Sequence, residues 1–215
     1  MKNNLEIITC EQGSIEWFEA RAGVVTASEM KNLLTQGKGG KPSATRLNYL
    51  RQKAAELFTG RTVDTGFNGN RFTEMGHEFE AEAVELFESQ TGLKTYTVGF
   101  LKRGDVGASP DRLIEGQDLG LEIKCKLAHN FLEVALSGEV PKEHIAQIQG
   151  NLWVTGFKKW YFVCYCPGFP LFVKVVERDE EYISKLEEAH KQFKEDLNNT
   201  LEQIQEFAVS NFEEV

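Results

Sequence analysis

The chain reads as a mixed α/β protein, a central mixed β-sheet flanked by helices. Two observations predict this class. Helical periodicity fills most of residues 14–92, and short alternating segments then occupy 94–125. After them come helix, helix, strand, strand and a long terminal helix, an order that folds as a sheet with helices packed on it. At 215 residues the chain has the length of one sizeable core. The expected organisation is therefore one domain over 1–215, with N-terminal helices at 14–92, a sheet core at 94–178 and a C-terminal helix at 179–209.

Ser14 opens a short helix that Gly23 ends. Thr26-Ala27-Ser28-Glu29 has the pattern of a capping box, hydroxyl first and glutamate three residues later, so a second helix is expected from Ala27 to before Gly37. The free N–H groups at such a start can hold an anion, and Arg21 lies just upstream. An ordinary capped helix explains the same residues. Gln36 to Pro42 is a basic, glycine-rich loop, either a linker or an arm that touches a phosphate backbone. Ser43 caps a helix that closes at Gly60, and residues 61–70 form a polar connection with Gly66, Asn68 and Gly69.

The helix expected over 71–91 carries one anomaly. Gly76, Phe79, Glu80, Ala83, Val84 and Phe87 share a stripe, so Glu80 is an acid inside an apolar face. A buried carboxylate needs a cation, a metal ion or hydrogen-bond donors, and the spacing leaves that choice open. Residues 94–101 alternate as one strand, and Val106 to Ser109 leads into a hairpin. Helices are expected at 128–137 and from Pro141 to Thr155, each followed by glycine. On the second, Ile145, Ile148 and Leu152 form the buried stripe. His144, Gln147 and Asn151 form a polar strip beside it, a pattern that solvated surface also produces. Strands at 158–166 and 171–177 flank a turn rich in proline and glycine, and Asp179 caps the last helix.

The hairpin organises the rest. If Gly116-Gln117 form a two-residue type II′ turn, Leu113 pairs with Gly120 and Asp111 with Glu122. Cross-strand partners share a face roughly 5 Å apart, and the period of two adds Lys124 to that face. Leu121, Ile123 and Cys125 point the other way. Two carboxylates this close repel unless a cation lies between them, and their oxygens suit a hard ion such as Mg²⁺. A surface hairpin with solvated charges fits the bare spacing as well.

Composition narrows the classes. The formal charge of −9 argues against non-specific coating of DNA, though not against a basic groove on an acidic body. No apolar run is long enough to span a bilayer, and the four cysteines form no Cys-x-x-Cys pair. A soluble, cytoplasmic protein with reduced thiols is expected.

Pro110-Asp111 followed by Glu122-Ile123-Lys124 resembles the signature of the PD-(D/E)xK nuclease superfamily. A closer resemblance runs from about Gln12 to about Glu181. Trp17 through Glu29, Gly76 through Glu80, Ala108 through Asp111, Leu121 through Lys124, Gln147 through Thr155 and Trp160 through Phe162 occur in the order of the phage lambda exonuclease family, the YqaJ-like viral recombinases. That resemblance implies a restriction-endonuclease-like core and a Mg²⁺-dependent exonuclease, with two ions expected and Mn²⁺ able to substitute. Its substrate is linear double-stranded DNA with a 5′-phosphate, digested 5′ to 3′ to leave a 3′ overhang. It implies that Asp111, Glu122 and the Ile123 carbonyl bind metal and that Lys124 orients the attacking water. Glu80 would complete the acidic cluster, and Gln147 would order the water or the metal shell. Arg21, Ser28 and Ser109 would hold the 5′-phosphate. It further implies a homotrimeric ring, a single-strand annealing protein as partner, and a phage or prophage gene acting in a bacterial cytoplasm. His144 stands where the lambda enzyme has tyrosine. A different PD-(D/E)xK endonuclease, or a non-catalytic DNA-end or recombinase-binding module, shares parts of the pattern.

Overall fold

The computed structural model describes residues 5–62 and 71–213, with side chains described over 5–62 and 78–210. Strand β1 (Glu6–Ile8) precedes helix α1 (Ile15–Arg21), whose Ser14 cap accepts from Trp17 N at 3.2 Å. Strand β2 (Val25–Thr26) then enters a 3-10 helix, Ala27–Leu34. The expected capping box is not made. Thr26 gives no side-chain cap, its hydroxyl lies 3.4 Å from that of Ser28, and Glu29 instead accepts from the Asn32 amide. The reason is steric crowding. This segment is pressed against a later helix at Gly150, where an added Cβ would stand 3.1 Å from Ala27 Cα.

Helix α2 (Ala44–Thr59) has its Ser43 cap and left-handed Gly60 as expected. Helix α3 spans Arg71–Thr91. Most of the polar connection before it, with Gly66, Asn68 and Gly69, lies outside the described residues, as does the burial of Gly76. The strand expected over 94–101 is two strands in two different sheets, β3 (Thr95–Tyr96) and β4 (Phe100–Arg103). The break falls at Gly99, where a Cβ would stand 2.5 Å from the Cys10 carbonyl oxygen. The alternation runs through the break, so side-chain pattern alone cannot reveal it.

Next come β5 (Val106–Ala108), β6 (Arg112–Ile114), β7 (Gly120–Cys125), α4 (Ala128–Ser137) and α5 (Lys142–Thr155). The chain finishes with β8 (Lys159–Tyr165), β9 (Phe172–Glu177) and α6 (Glu180–Glu213), the last capped by Asp179 Oδ1, which accepts from Tyr182 N at 2.9 Å. One sheet has the order β1-β4-β5-β2 and the other β3-β6-β7-β8-β9, each containing parallel and antiparallel pairs. The mixed sheet flanked by helices is present, as two sheets rather than one.

Strand β7 is the centre of the larger sheet, antiparallel to β6 and parallel to β8. On one side, Leu121 and Ile123 pack with Val163 against Ala83, Val84 and Phe87 of α3. On the other side, Leu113, Phe162 and Cys164 join the larger core with Ile148 and Leu152 of α5. Each layer excludes water from a different face of the same strand, and each fully buried apolar side chain adds about 1.5–3 kcal/mol of burial free energy.

Candidate active site

The hairpin register is the one expected, with Leu113 opposite Gly120 and Arg112 opposite Leu121. Its tip differs. Gln117 N donates to Ile114 O at 3.3 Å, so Gly116, at φ +69°, takes the second central place of the turn Ile114–Gln117. The longer tip closes on Ile114–Leu119 and leaves the register unchanged. Regular pairing stops one residue before Asp111. There the Asp111 carboxylate replaces a ladder carbonyl, and its Oδ2 accepts from Ile123 N at 2.5 Å.

Glu122 is wholly buried on the α5 side of the strand. Its Oε1 lies 2.6 Å from Lys124 Nζ as an ion pair outside hydrogen-bond geometry, and its Oε2 accepts from Asn151 Nδ2 at 3.2 Å. Burial first, then the charge of Asp111, pushes the Glu122 carboxyl up to about 8. Burial likewise raises Asp111, with Lys124 pulling the other way. Lys124 is opposed by its own burial, but Glu122 and Asp111 outweigh that and hold its ammonium above the ordinary lysine value. A buried acid and a half-buried one thus share one lysine, and like charges this far from water are stable only with further positive charge or a bound proton.

A divalent cation fits this donor set. The donors are hard carboxylate oxygens, and the charge of Asp111 acts directly on buried Glu122, a repulsion that a cation between them would relieve. Glu80 faces the same cavity of about 440 Å³ as Asp111, and its charge reaches Lys124 and Cys125. Among the described residues, no three acidic, histidine or cysteine side chains converge to metal-binding distance. The cluster is two adjoining acids with Glu80 across the cavity.

Gln147 is half-buried on α5, and Asn151, one turn later, is the residue that touches Glu122. The polar strip on α5 is therefore not solvated surface, since Asn151 is only 1% exposed. Helical spacing grouped Asn151 with Gln147, but which member would meet an acid depends on how α5 sits across β7. His144 stacks on Phe162 with ring centres 5.5 Å apart, and its buried Nε2 makes no hydrogen bond, with Glu143 Oε1 3.8 Å away. Burial, then Lys124 and Lys126, pushes its imidazole down to about 4, so it is neutral at physiological pH.

A cationic corner adjoins the acids. Arg21 Nη1 donates to Ser109 Oγ at 3.1 Å, and Trp17 Nε1 donates to the same oxygen at 2.9 Å. The guanidinium lies 4.0 Å over the Trp17 ring. Ser109 is two residues before Asp111, so the corner and the acids share one backbone segment. Arg21 and Thr26 also line a cavity of about 690 Å³, while Ser28 reaches this group only through the Thr26 hydroxyl.

Known proteins resemble this chain in sequence and in fold. A family model for the YqaJ-like viral recombinase domain matches residues 16–158. The uncharacterized protein YqaJ of Bacillus subtilis is 35% identical over 167 residues, covering 74% of this chain. The chain spans about half the length of that relative, 52%. The crystal structure of an alkaline exonuclease, LHK-Exo of Laribacter hongkongensis, superposes with a TM-score of 0.80 at 28% identity, covering 92% of this chain and 99% of that one. The same enzyme solved with dAMP also gives 0.80. A phage-related exonuclease from Haemophilus somnus, 16% identical with a TM-score of 0.63 over 84% of this chain and 96% of that one, shares the fold.

Proposed function

This chain belongs to the YqaJ-like viral recombinase family, and from that premise we propose that it is a Mg²⁺-dependent exonuclease. It digests one strand of linear double-stranded DNA from a 5′-phosphate end and leaves a 3′ overhang. The observation that carries the reading is the convergence of Asp111, Glu122 and Lys124 at one end of a buried strand, beside a cationic corner.

Asp111 and Glu122 would hold Mg²⁺, with the Ile123 carbonyl and Glu80 completing the oxygen donors. When bound, the ion polarises the scissile phosphate and lowers the pKa of water. The chain's own groups do the rest. Lys124, fixed against Glu122, orients the attacking water and offsets negative charge as it develops on the phosphate. Asn151 fixes the Glu122 carboxylate from the helix side. Gln147, half-buried one turn before Asn151, would order the water or the metal shell. Arg21 and Ser109 form a charge-assisted donor pair for the terminal phosphate, with Ser28 as the third member. A guanidinium stacked on Trp17 and bonded to Ser109 is pre-oriented, so little side-chain freedom is lost when the phosphate arrives.

A net charge of −9 would suit a ring-shaped homotrimer that turns its cationic residues toward the DNA at its centre. The 3′ strand it exposes would pass to a single-strand annealing protein in the bacterial cytoplasm. No described helix is long and apolar enough to cross a membrane.

Linear and circular duplexes incubated with Mg²⁺ or with chelator test this reading, followed by sizing of the products. Mononucleotides from linear DNA with Mg²⁺ alone are expected. Cutting of the circle would assign an endonuclease instead, and binding without any cleavage would assign a non-catalytic module.

A further inference from the structure

One face of α2 is packed on the segment that joins Arg21 to Ser28. Tyr49, Lys53, Glu56 and Leu57 recur at helical spacing and share that face. Two backbone N–H groups of the segment end on it. Gly23 N donates to Glu56 Oε2 at 2.9 Å, and Thr26 N donates to the Tyr49 hydroxyl at 3.3 Å. Glu56 is almost wholly buried and also accepts from Lys53 Nζ at 2.7 Å and Gln52 Nε2 at 3.0 Å. Leu57 completes the contact. Gly23 has φ +71°, and a Cβ there would stand 2.3 Å from Leu57 Cδ2. The positive φ favours glycine, and any Cβ would also require the Leu57 side chain to move.

Attaching a helix to a loop needs only apolar contact, and a buried carboxylate–ammonium pair is a costly way to do it. What the carboxylate adds is direction, because it fixes the N–H two residues after Arg21 while Tyr49 fixes another immediately before Ala27. Arg21, Thr26 and Lys53 line the same cavity. We propose that Glu56 is a positioning residue for 5′-phosphate recognition. With Tyr49 it sets the backbone from Gly23 to Thr26, and so sets the spacing between Arg21 and Ser28. This rests on the reading of Arg21 and Ser28 as the phosphate site. A phosphate gripped by both needs each within roughly 3 Å, so a small shift of the segment forfeits one of them.

Two double variants isolate the effect, because both remove the buried charge pair. Lys53→Met/Glu56→Gln keeps an acceptor for Gly23 N, and Lys53→Met/Glu56→Leu does not. Binding to labelled duplexes with 5′-phosphate or 5′-hydroxyl ends, in chelator, gives the phosphate preference. Amide hydrogen exchange at Gly23 and Thr26 is read alongside it. The Gln variant is expected to keep the wild-type preference within about twofold, and the Leu variant to lose about tenfold with faster exchange at Gly23. Arg21→Ala is expected to lose the preference entirely. If Arg21→Ala loses it while the folded Leu variant keeps it, the positioning role is wrong and the phosphate site stands. If wild type binds both ends alike, the phosphate site fails and the positioning role fails with it. Should the Leu variant not fold, Tyr49→Phe removes only the acceptor for Thr26 N. A reduced preference in Tyr49→Phe supports the role, and an unchanged one overturns it.

Discussion

The two faces of β7 are built from alternate residues of one strand and have opposite characters. Leu121 and Ile123 face α3 in a layer dominated by apolar side chains around Phe87 and Val163, with the Tyr165 hydroxyl bonded to Glu82 near its edge. Glu122 and Lys124 face α5, and there an acid at zero exposure meets a lysine, an asparagine and a second acid. The apolar face has nothing to do except exclude water and hold the strand in place. The polar face is expensive to bury and is stable only because the rest of the strand is so firmly packed. Rigidity on one side permits chemistry on the other.

If that division of labour is right, substitutions on the two faces should fail in different ways. Lys124→Ala or Asp111→Ala should lower cleavage of linear duplex by at least about 10³-fold while the protein still folds. Unimpaired digestion by either purified variant would refute the assignment. Leu121→Ala should do the reverse, costing about 2–5 kcal/mol of stability in a denaturant melt with activity per folded molecule kept. Asn151→Ala falls between them. It should weaken Mg²⁺ binding about 10–100-fold, as loss of a donor to a metal ligand does, with a smaller loss of stability.

The smallest effect is in pH. Glu122 has a folded-state pKa of about 8 against an ordinary value of 4.5. Between those values the unfolded chain loses the proton and the folded chain keeps it, so the metal-free protein loses stability as pH rises from about 4.5 and has lost all of this contribution above about 8. Thermal melts of wild type and Glu122→Gln without metal should therefore diverge across that range, wild type falling. Added Mg²⁺ should restore wild type more at pH 8 than at pH 6. Parallel curves would mean that Glu122 is not held protonated by its surroundings.

Much of this was readable from the residues alone. The register that sets Asp111 beside Glu122 follows from a period of two and a turn at Gly116, and it survives a different turn geometry because the tip lies beyond the paired residues. Caps at Ser14, Ser43 and Asp179 are local chemistry and appear where the pattern puts them. What local pattern could not show depends on contacts between distant segments. The alternation of 94–101 hides a change of sheet near Gly99, where the backbone passes close to Cys10. The capping pattern at Thr26 yields to close packing at Gly150. Asn151 rather than Gln147 meets Glu122, a contact between residues 29 apart that helical spacing cannot select. The contact of Arg21 with Ser109 joins residues 88 apart, a distance that spacing rules do not reach.

Calorimetric titration of Mg²⁺ into the metal-free protein at pH 7, beside Asp111→Asn and Glu122→Gln, tests whether the two acids gather a divalent cation. Saturable binding by wild type, accompanied by proton release and lost in both variants, is the predicted result. Equal heats in all three proteins, with no protons released, would contradict it.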